Sequence, residues 1–170
     1  MLPERKKLPH GVPMWVKEGA LYFITICTEP RGKNQLCQPA TAAWVHDSFV
    51  FREQRGDWSV HLLLLMPDHL HALMSFAPEP GMRHTLAHWK HYAAHEIGIQ
   101  WQRDFFDHRL RDGDSRVEKA HYIRMNPVRA GLATKPEDWP YVWSKAGAGA
   151  PEARDDRAAA LAVPPIKHAG

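Results

Sequence analysis

The chain has 170 residues, 44% of them hydrophobic and 24% charged, and this balance predicts one soluble domain with a hydrophobic core. No run of about 18 apolar residues occurs, which argues against a membrane-spanning helix, and the basic N-terminal segment lacks the apolar stretch of a secretion signal. The formal net charge of +3 is compatible with nucleic-acid binding, and the two cysteines are too few for a disulfide framework, so we expect a reducing, cytoplasmic environment.

The first half of the chain predicts a strand, a helix and a two-stranded hairpin. Residues 20–28 are β-branched and aromatic, as is typical of a strand, and residues 39–55 carry apolar side chains at helical spacing. Residues 58–66 form a short apolar run that indicates a central strand. Pro67-Asp68 then predicts a tight turn, and residues 69–76 return as the partner strand.

The second half predicts two helices separated by a strand. Residues 82–97 have a helical pattern and residues 101–111 a strand pattern. Ser115 and Glu118 suit the capping box of a helix that ends near Met125, because a proline disfavours helix at the residue before it.

The order of these elements, β-α-β-β-α-β-α, predicts an α+β fold: a mostly antiparallel sheet with helices on one side. We expect residues 1–145 to form one domain. Residues 146–170 are rich in Ala, Gly and Pro, which predicts a disordered or loosely attached tail.

Two histidines, His69 and His71, stand one residue apart in an otherwise apolar strand. Side chains alternate along a strand, so both point to one face, roughly 7 Å apart. They could be two structural histidines on a solvated face. Burial without a partner would cost about 1–3 kcal/mol each, so they need water, partners or a metal ion. A pair alone lacks a third metal ligand.

Tyr122 and Asn126 are four residues apart on the next predicted helix and share a face of it. They could face the histidines across the sheet. The ordinary alternative is a half-buried tyrosine and an asparagine that caps the following turn, with Pro127 at its first helical position. Capping would occupy the amide oxygen of Asn126, so capping and metal binding compete.

Together these motifs resemble the single-tyrosine HUH transposases of bacterial insertion sequences, and more narrowly the REP-associated tyrosine transposases. The resemblance runs from about residue 11 to residue 144. It rests on MPDHLHAL (66–73), WQRDFFDHRLR (101–111), YIRMNPVRAGL (122–132) and DWPYVWS (138–144).

The resemblance implies a ferredoxin-like α+β fold with a central antiparallel sheet, and a metal-dependent endonuclease and strand transferase. His69 and His71 would be metal ligands, with Asn126 as the third ligand or its support. Two imidazoles and an amide form a mixed set that suits Mn²⁺ better than Mg²⁺. Tyr122 would be the nucleophile and form a 5′-phosphotyrosine, which conserves a phosphodiester and allows rejoining without ATP.

By the same resemblance the partner is single-stranded DNA with hairpin-forming, palindromic repeats, met in the cytoplasm at the nucleoid, and the chain is a possible homodimer. We find no helix-turn-helix or zinc-finger spacing. The predicted contacts to DNA are instead basic side chains near the site: Lys90, Arg111 and Arg124.

Four further histidines form one stripe on the predicted 82–97 helix: His84, His88, His91 and His95. Each His-x₃-His pair could chelate zinc, and a surface stripe near DNA is the other interpretation. Two alternatives to the transposase therefore stay open. One is a hairpin-binding protein of the same fold that does not cut, and the other is a zinc hydrolase built on this stripe.

Overall fold

A computed structural model describes residues 19–111 and 114–145, so the predicted tail at 146–170 lies outside the described residues. Within them no helix combines the length and the apolar character needed to cross a membrane. The elements in chain order are β1 (Tyr22–Cys27), α1 (Pro39–Arg55), β2 (Trp58–Met66), β3 (His69–Phe76), α2 (Met82–Ile97), β4 (Phe106–Arg109), α3 (Arg116–Arg124), α4 (Asn126–Arg129), a 3₁₀ turn (Pro136–Asp138) and β5 (Val142–Ser144).

The strands form one antiparallel sheet in the order β4-β1-β3-β2-β5. The first six elements have the β-α-β-β-α-β order of ferredoxin-like folds. The predicted α+β fold is therefore confirmed, and β3, which carries the histidine pair, is the middle strand. Strand β5 extends the sheet beyond β2. Its three residues are too few to show the alternation that predicts a strand.

Helices α1 and α2 cover one face of the sheet with large aromatic side chains. Phe49 from α1 packs on Trp58 from β2, with ring centroids 4.7 Å apart, and Trp89 from α2 lies 4.9 Å from Phe49. All three rings are almost fully buried. Each buried aromatic removes a large apolar area from water, so this cluster is a main source of stability.

Helix α3 lies on the opposite face, so the prediction that the helices share one side is wrong. Tyr22 contacts Phe76 on the α1–α2 side, and the next residue, Phe23, points to the other side. There the Phe23 ring meets Tyr122 of α3, with centroids 6.4 Å apart. Strands buried on both faces read as continuous apolar runs, which explains the LLLLM of β2.

Strand β4 is shorter than predicted: the ladder covers Phe106–Arg109 instead of residues 101–111. The Nζ of Lys90 donates to the main-chain oxygens of Gln102 at 2.6 Å and Arg103 at 2.8 Å. These carbonyls serve the lysine, so the segment before β4 forms a loop.

Helix α3 begins as predicted, because the hydroxyl of Ser115 accepts a hydrogen bond from the backbone N–H of Glu118 at 3.1 Å. It ends at Arg124, and the short helix α4 follows, with Pro127 in its first turn. Arg129 of α4 donates from Nη1 to the main-chain oxygen of Tyr122 at 3.2 Å, which connects the two helices beside Tyr122.

Candidate active site

The pairing of the three central strands places both histidines on the face that α3 covers. His71 is opposite Thr25 of β1, and His69 is opposite Cys27. Residues directly opposite share a face, and Phe23 lies two residues before Thr25 on the same side. The two histidines share a face, as predicted, and their imidazole centroids are 4.8 Å apart, closer than the roughly 7 Å expected along the strand.

Neither histidine lies on a solvated face, so a structural role for the pair would be that of buried histidines with protein partners. His71 is 8% exposed, and its Nδ1 is hydrogen bonded to the hydroxyl of Thr25 at 2.9 Å. The Nδ1 of His69 lies 2.7 Å from Oδ1 of Asp68. Both Nδ1 atoms therefore have protein partners, as buried polar atoms require.

Electrostatics keep both imidazoles neutral and Asp68 charged. Burial lowers the pKa of His69, against the opposing effect of Asp68, and burial lowers the pKa of His71 to about 3. Burial opposes ionisation of Asp68, but hydrogen bonds from Arg31, His69 and the backbone of Gly32 outweigh it and lower the pKa to about 2. Neutral imidazole is the form that binds a metal ion.

The lowered pKa of His71 predicts that the metal-free protein loses stability in mild acid. The unfolded chain binds the imidazole proton more readily, so the free energy of unfolding holds above about pH 6.5 and falls as the pH drops toward about 3. Between pH 7 and pH 5 we expect a loss of about 2 kcal/mol. Urea unfolding with a chelator present measures it.

The matched variants for this prediction are His71→Ala, which should flatten the pH dependence, and His84→Ala on the exposed face of α2, which should leave it unchanged. Equal slopes in wild type and the His71 variant would contradict the assignment.

Tyr122 lies on the same face as His71, and one ring touches both. The Phe23 centroid is 5.4 Å from that of His71 and 6.4 Å from that of Tyr122. The phenol is 48% exposed, so incoming substrate can reach it. Two cations contact its ring: the guanidinium of Arg129 at 4.3 Å and the Nζ of Lys119 at 5.4 Å from the centroid.

Among the described residues, the amide nitrogen of Asn126 has hydrogen-bond partners and its amide oxygen has none. The Nδ2 donates to the carbonyl of Ile123 at 3.0 Å and, more weakly, to that of Tyr122 at 3.4 Å. The asparagine therefore caps the end of α3 with its nitrogen. The competition expected between capping and metal binding does not arise, because the two roles use different atoms.

The two histidines of this face need a third donor, predicted to be the amide of Asn126, to hold a divalent ion. Within residues 19–111 and 114–145 no group of three His, Cys, Asp or Glu side chains could hold a metal ion. His69 and His71 offer two Nε2 atoms, and the amide oxygen of Asn126 remains the predicted third donor. Two nitrogens and a neutral oxygen leave positions for phosphate oxygens and water.

The three basic residues predicted to contact DNA differ in their surroundings. Lys90 is 8% exposed and its ammonium is used by main-chain carbonyls, so its geometry speaks against a phosphate contact. Arg124 is half-buried and donates to the hydroxyl of Ser144 at 2.9 Å, which ties α3 to β5. Arg111 is exposed, and its side chain is available to a ligand.

Lys119 and Arg129, which contact the phenol ring, were not among the predicted DNA contacts. The sequence spacing indicates that Lys119 lies near Tyr122, because it stands three residues before Tyr122 and shares its helical face. For Arg129 no spacing rule applies, because the α3–α4 junction brings it back to the ring.

The histidine stripe of α2 is exposed, and the Nδ1 of His88 is hydrogen bonded to Arg52 at 2.9 Å. In the described part of the chain no three His, Cys, Asp or Glu side chains form a metal-binding group, and this holds for the α2 stripe as for the β3 pair.

Two curated proteins are similar in sequence to the chain. A protein of Escherichia coli named "REP-associated tyrosine transposase" is 25% identical over 129 residues, covering 73% of this chain and 76% of that protein. One of Haemophilus influenzae, named "Putative REP-associated tyrosine transposase", is 27% identical over 143 residues, covering 73% and 79%. The chain is similar to the REP-associated tyrosine transposases. The resemblance predicted from the motifs is thereby confirmed.

The fold of the chain is also similar to that of a solved structure. A solved structure of a REP-associated tyrosine transposase bound to a REP hairpin aligns with a TM-score of 0.62 and 20% identity, covering 84% of this chain and 82% of that one. At this identity the likeness to that transposase concerns the fold. No family model matches the chain.

Proposed function

We propose that this chain is a DNA transposase-type enzyme that cleaves single-stranded DNA next to a hairpin and rejoins strands, with Tyr122 as nucleophile. The observation that carries the proposal is that the imidazole of His71 and the phenol of Tyr122 pack against the same ring, Phe23, on one face of the sheet. A nucleophile beside a pair of metal-binding nitrogens is the arrangement that metal-assisted phosphoryl transfer needs.

The similar proteins support both the reaction and the partner. The two curated relatives carry the name of tyrosine transposases, and the solved structure of similar fold holds a REP hairpin. Hairpin-forming DNA is accordingly the partner that we propose.

The chemical step exchanges one bond at phosphorus for another. The phenol oxygen of Tyr122 attacks the phosphorus and loses its proton, the bond from phosphorus to the 3′ oxygen breaks, and that oxygen takes up a proton as it leaves. The products are a 5′-phosphotyrosine and a free 3′-OH. The phosphodiester character is conserved, so a 3′-OH can reverse the step and join strands without ATP.

His69, His71 and the oxygen of Asn126 are the groups that would hold the divalent ion. When bound, Mn²⁺ or Mg²⁺ supplies Lewis-acid polarisation of the phosphate. The residues of the chain do the rest: the neutral imidazoles present unprotonated nitrogens, and Lys119 and Arg129 place positive charge beside the ring of Tyr122, where the anionic phosphate would approach.

Since His71 and Tyr122 of one chain meet at Phe23, a single chain supplies both parts of the proposed site. A homodimer stays a prediction, and the chemistry does not require it.

A covalent-adduct assay tests the proposed function. The substrate is a hairpin taken from the DNA that flanks the gene, with single-stranded arms and a label at the 5′ or the 3′ end. With Mn²⁺ or Mg²⁺ present we expect the 3′-labelled fragment to migrate with the protein on a denaturing gel and the 5′-labelled fragment to run free. Tight binding without any adduct in either ion would favour the hairpin-binding alternative.

A further inference from the structure

The carboxylate of Asp68 connects His69 to a hydrogen-bond network that includes Arg31 and the backbone of Gly32. Its Oδ2 accepts from Nε of Arg31 and from the backbone N–H of Gly32, each at 2.8 Å, and its Oδ1 lies 2.7 Å from Nδ1 of His69. The side chain is 11% exposed. Two donors therefore hold Oδ2 in place, and this orients Oδ1 toward the imidazole nitrogen.

The turn between β2 and β3 does not depend on this carboxylate. The main-chain oxygen of Asp68 accepts from the backbone N–H of Thr28 at 2.8 Å and from its hydroxyl at 2.9 Å. These bonds fix the backbone of the turn. The side chain of Asp68 therefore acts on Arg31, Gly32 and His69 and is not needed to hold the turn.

The contact dictates which nitrogen of His69 carries the proton. A carboxylate paired with an arginine only accepts hydrogen bonds, so Nδ1 of His69 must donate. In a neutral imidazole the proton sits on one nitrogen, which leaves Nε2 with its lone pair. The hydroxyl of Thr25 lies 2.9 Å from Nδ1 of His71. A hydroxyl can accept a hydrogen bond as well as donate one, so this contact is compatible with a proton on Nδ1 of His71.

We propose that Asp68 and Thr25 are positioning residues: they hold His69 and His71 as Nδ1-protonated imidazoles, so that both Nε2 lone pairs face one divalent cation. The role in metal binding rests on the proposed function, whereas the placement of the protons does not. Partners of this kind fix the tautomer and orientation of metal-binding histidines in other proteins, and their loss costs about 10- to 100-fold in metal affinity.

The test uses Asp68→Ala and Thr25→Val in the full chain, with Asp57→Ala as the matched control. The Asp57 carboxylate also pairs with an arginine, Arg52 at 3.2 Å, but in the turn before β2. Long-range ¹H–¹⁵N spectra of the metal-free protein report the proton of each imidazole. Mn²⁺ titration followed by electron paramagnetic resonance reports affinity.

We expect Nδ1-protonated signals for both histidines in wild type, a shift toward the Nε2-protonated form of His69 in Asp68→Ala, and Mn²⁺ affinity about 10- to 100-fold lower. Thr25→Val keeps the shape of the side chain and should act in the same way on His71. The Asp57 control should match wild type in both measurements.

Nε2-protonated His69 in the wild-type protein, or unchanged spectra in both variants, would overturn the positioning role. Nδ1-protonated histidines in a protein that binds no Mn²⁺ would sustain the positioning of the protons and overturn the proposed metal dependence, so the two failures are distinct.

Discussion

Replacing Tyr122 with phenylalanine is expected to abolish the covalent DNA adduct, lowering strand cleavage by at least about 10³-fold, while hairpin binding persists. The variant keeps the ring that contacts Phe23 and Arg129. It removes one oxygen from a side chain that is 48% exposed. Folding should therefore be unaffected, and the loss of cleavage would report the loss of the nucleophile itself.

The control for this variant is Tyr92→Phe on α2. Tyr92 is similarly exposed, at 43%, and its ring packs on Trp44 on the α1–α2 side of the sheet. Cleavage by this control should equal that of wild type in a gel assay with labelled hairpin. Undiminished cutting by Tyr122→Phe would remove Tyr122 from the mechanism, and the phosphotyrosine with it.

Replacing His71 with alanine is expected to eliminate the response of cleavage to added Mn²⁺, a loss of at least about 100-fold, because one of two nitrogen ligands is deleted. The same result is expected for His69→Ala. Both variants remove an imidazole that is hydrogen bonded at Nδ1. Unfolding curves at neutral pH are needed beside the rates, so that a loss of metal binding is separated from a loss of structure.

The paired substitution His88→Ala and His91→Ala is the matched control, since these side chains are exposed on α2. It should leave Mn²⁺ binding and cleavage unchanged. If the α2 variant lost its metal and the β3 variants retained it, the zinc-hydrolase alternative would replace the transposase.

The order of strands and helices could be predicted because it depends on local patterns. Alternation along β3 put His69 and His71 on one face, and the apolar run of β2 marked a central strand. The apolar run of β2 also bears on the position of α3. A strand whose two faces are both apolar needs cover on both sides, and α3 provides the second cover.

The proximity of Tyr122 and His71 could not be predicted, because it depends on a third residue that stands about 100 positions before Tyr122 in the chain. Phe23 of β1 fills the space between the two rings, and no periodicity relates it to α3. Lys90 shows the opposite case, a buried residue that was predicted to contact DNA. In the sequence, a lysine among histidines and polar residues resembles a surface residue. In the structure, its ammonium donates hydrogen bonds to main-chain oxygens of the loop before β4.

The most direct measurement is an anomalous-scattering map from crystals of the Tyr122→Phe variant with Mn²⁺ and an uncut hairpin. We expect one Mn²⁺ bonded to Nε2 of His69, Nε2 of His71 and a DNA phosphate oxygen, with that phosphorus facing the ring at position 122. A manganese peak confined to the α2 histidines, or a phosphate at the β3 pair far from position 122, would contradict the account.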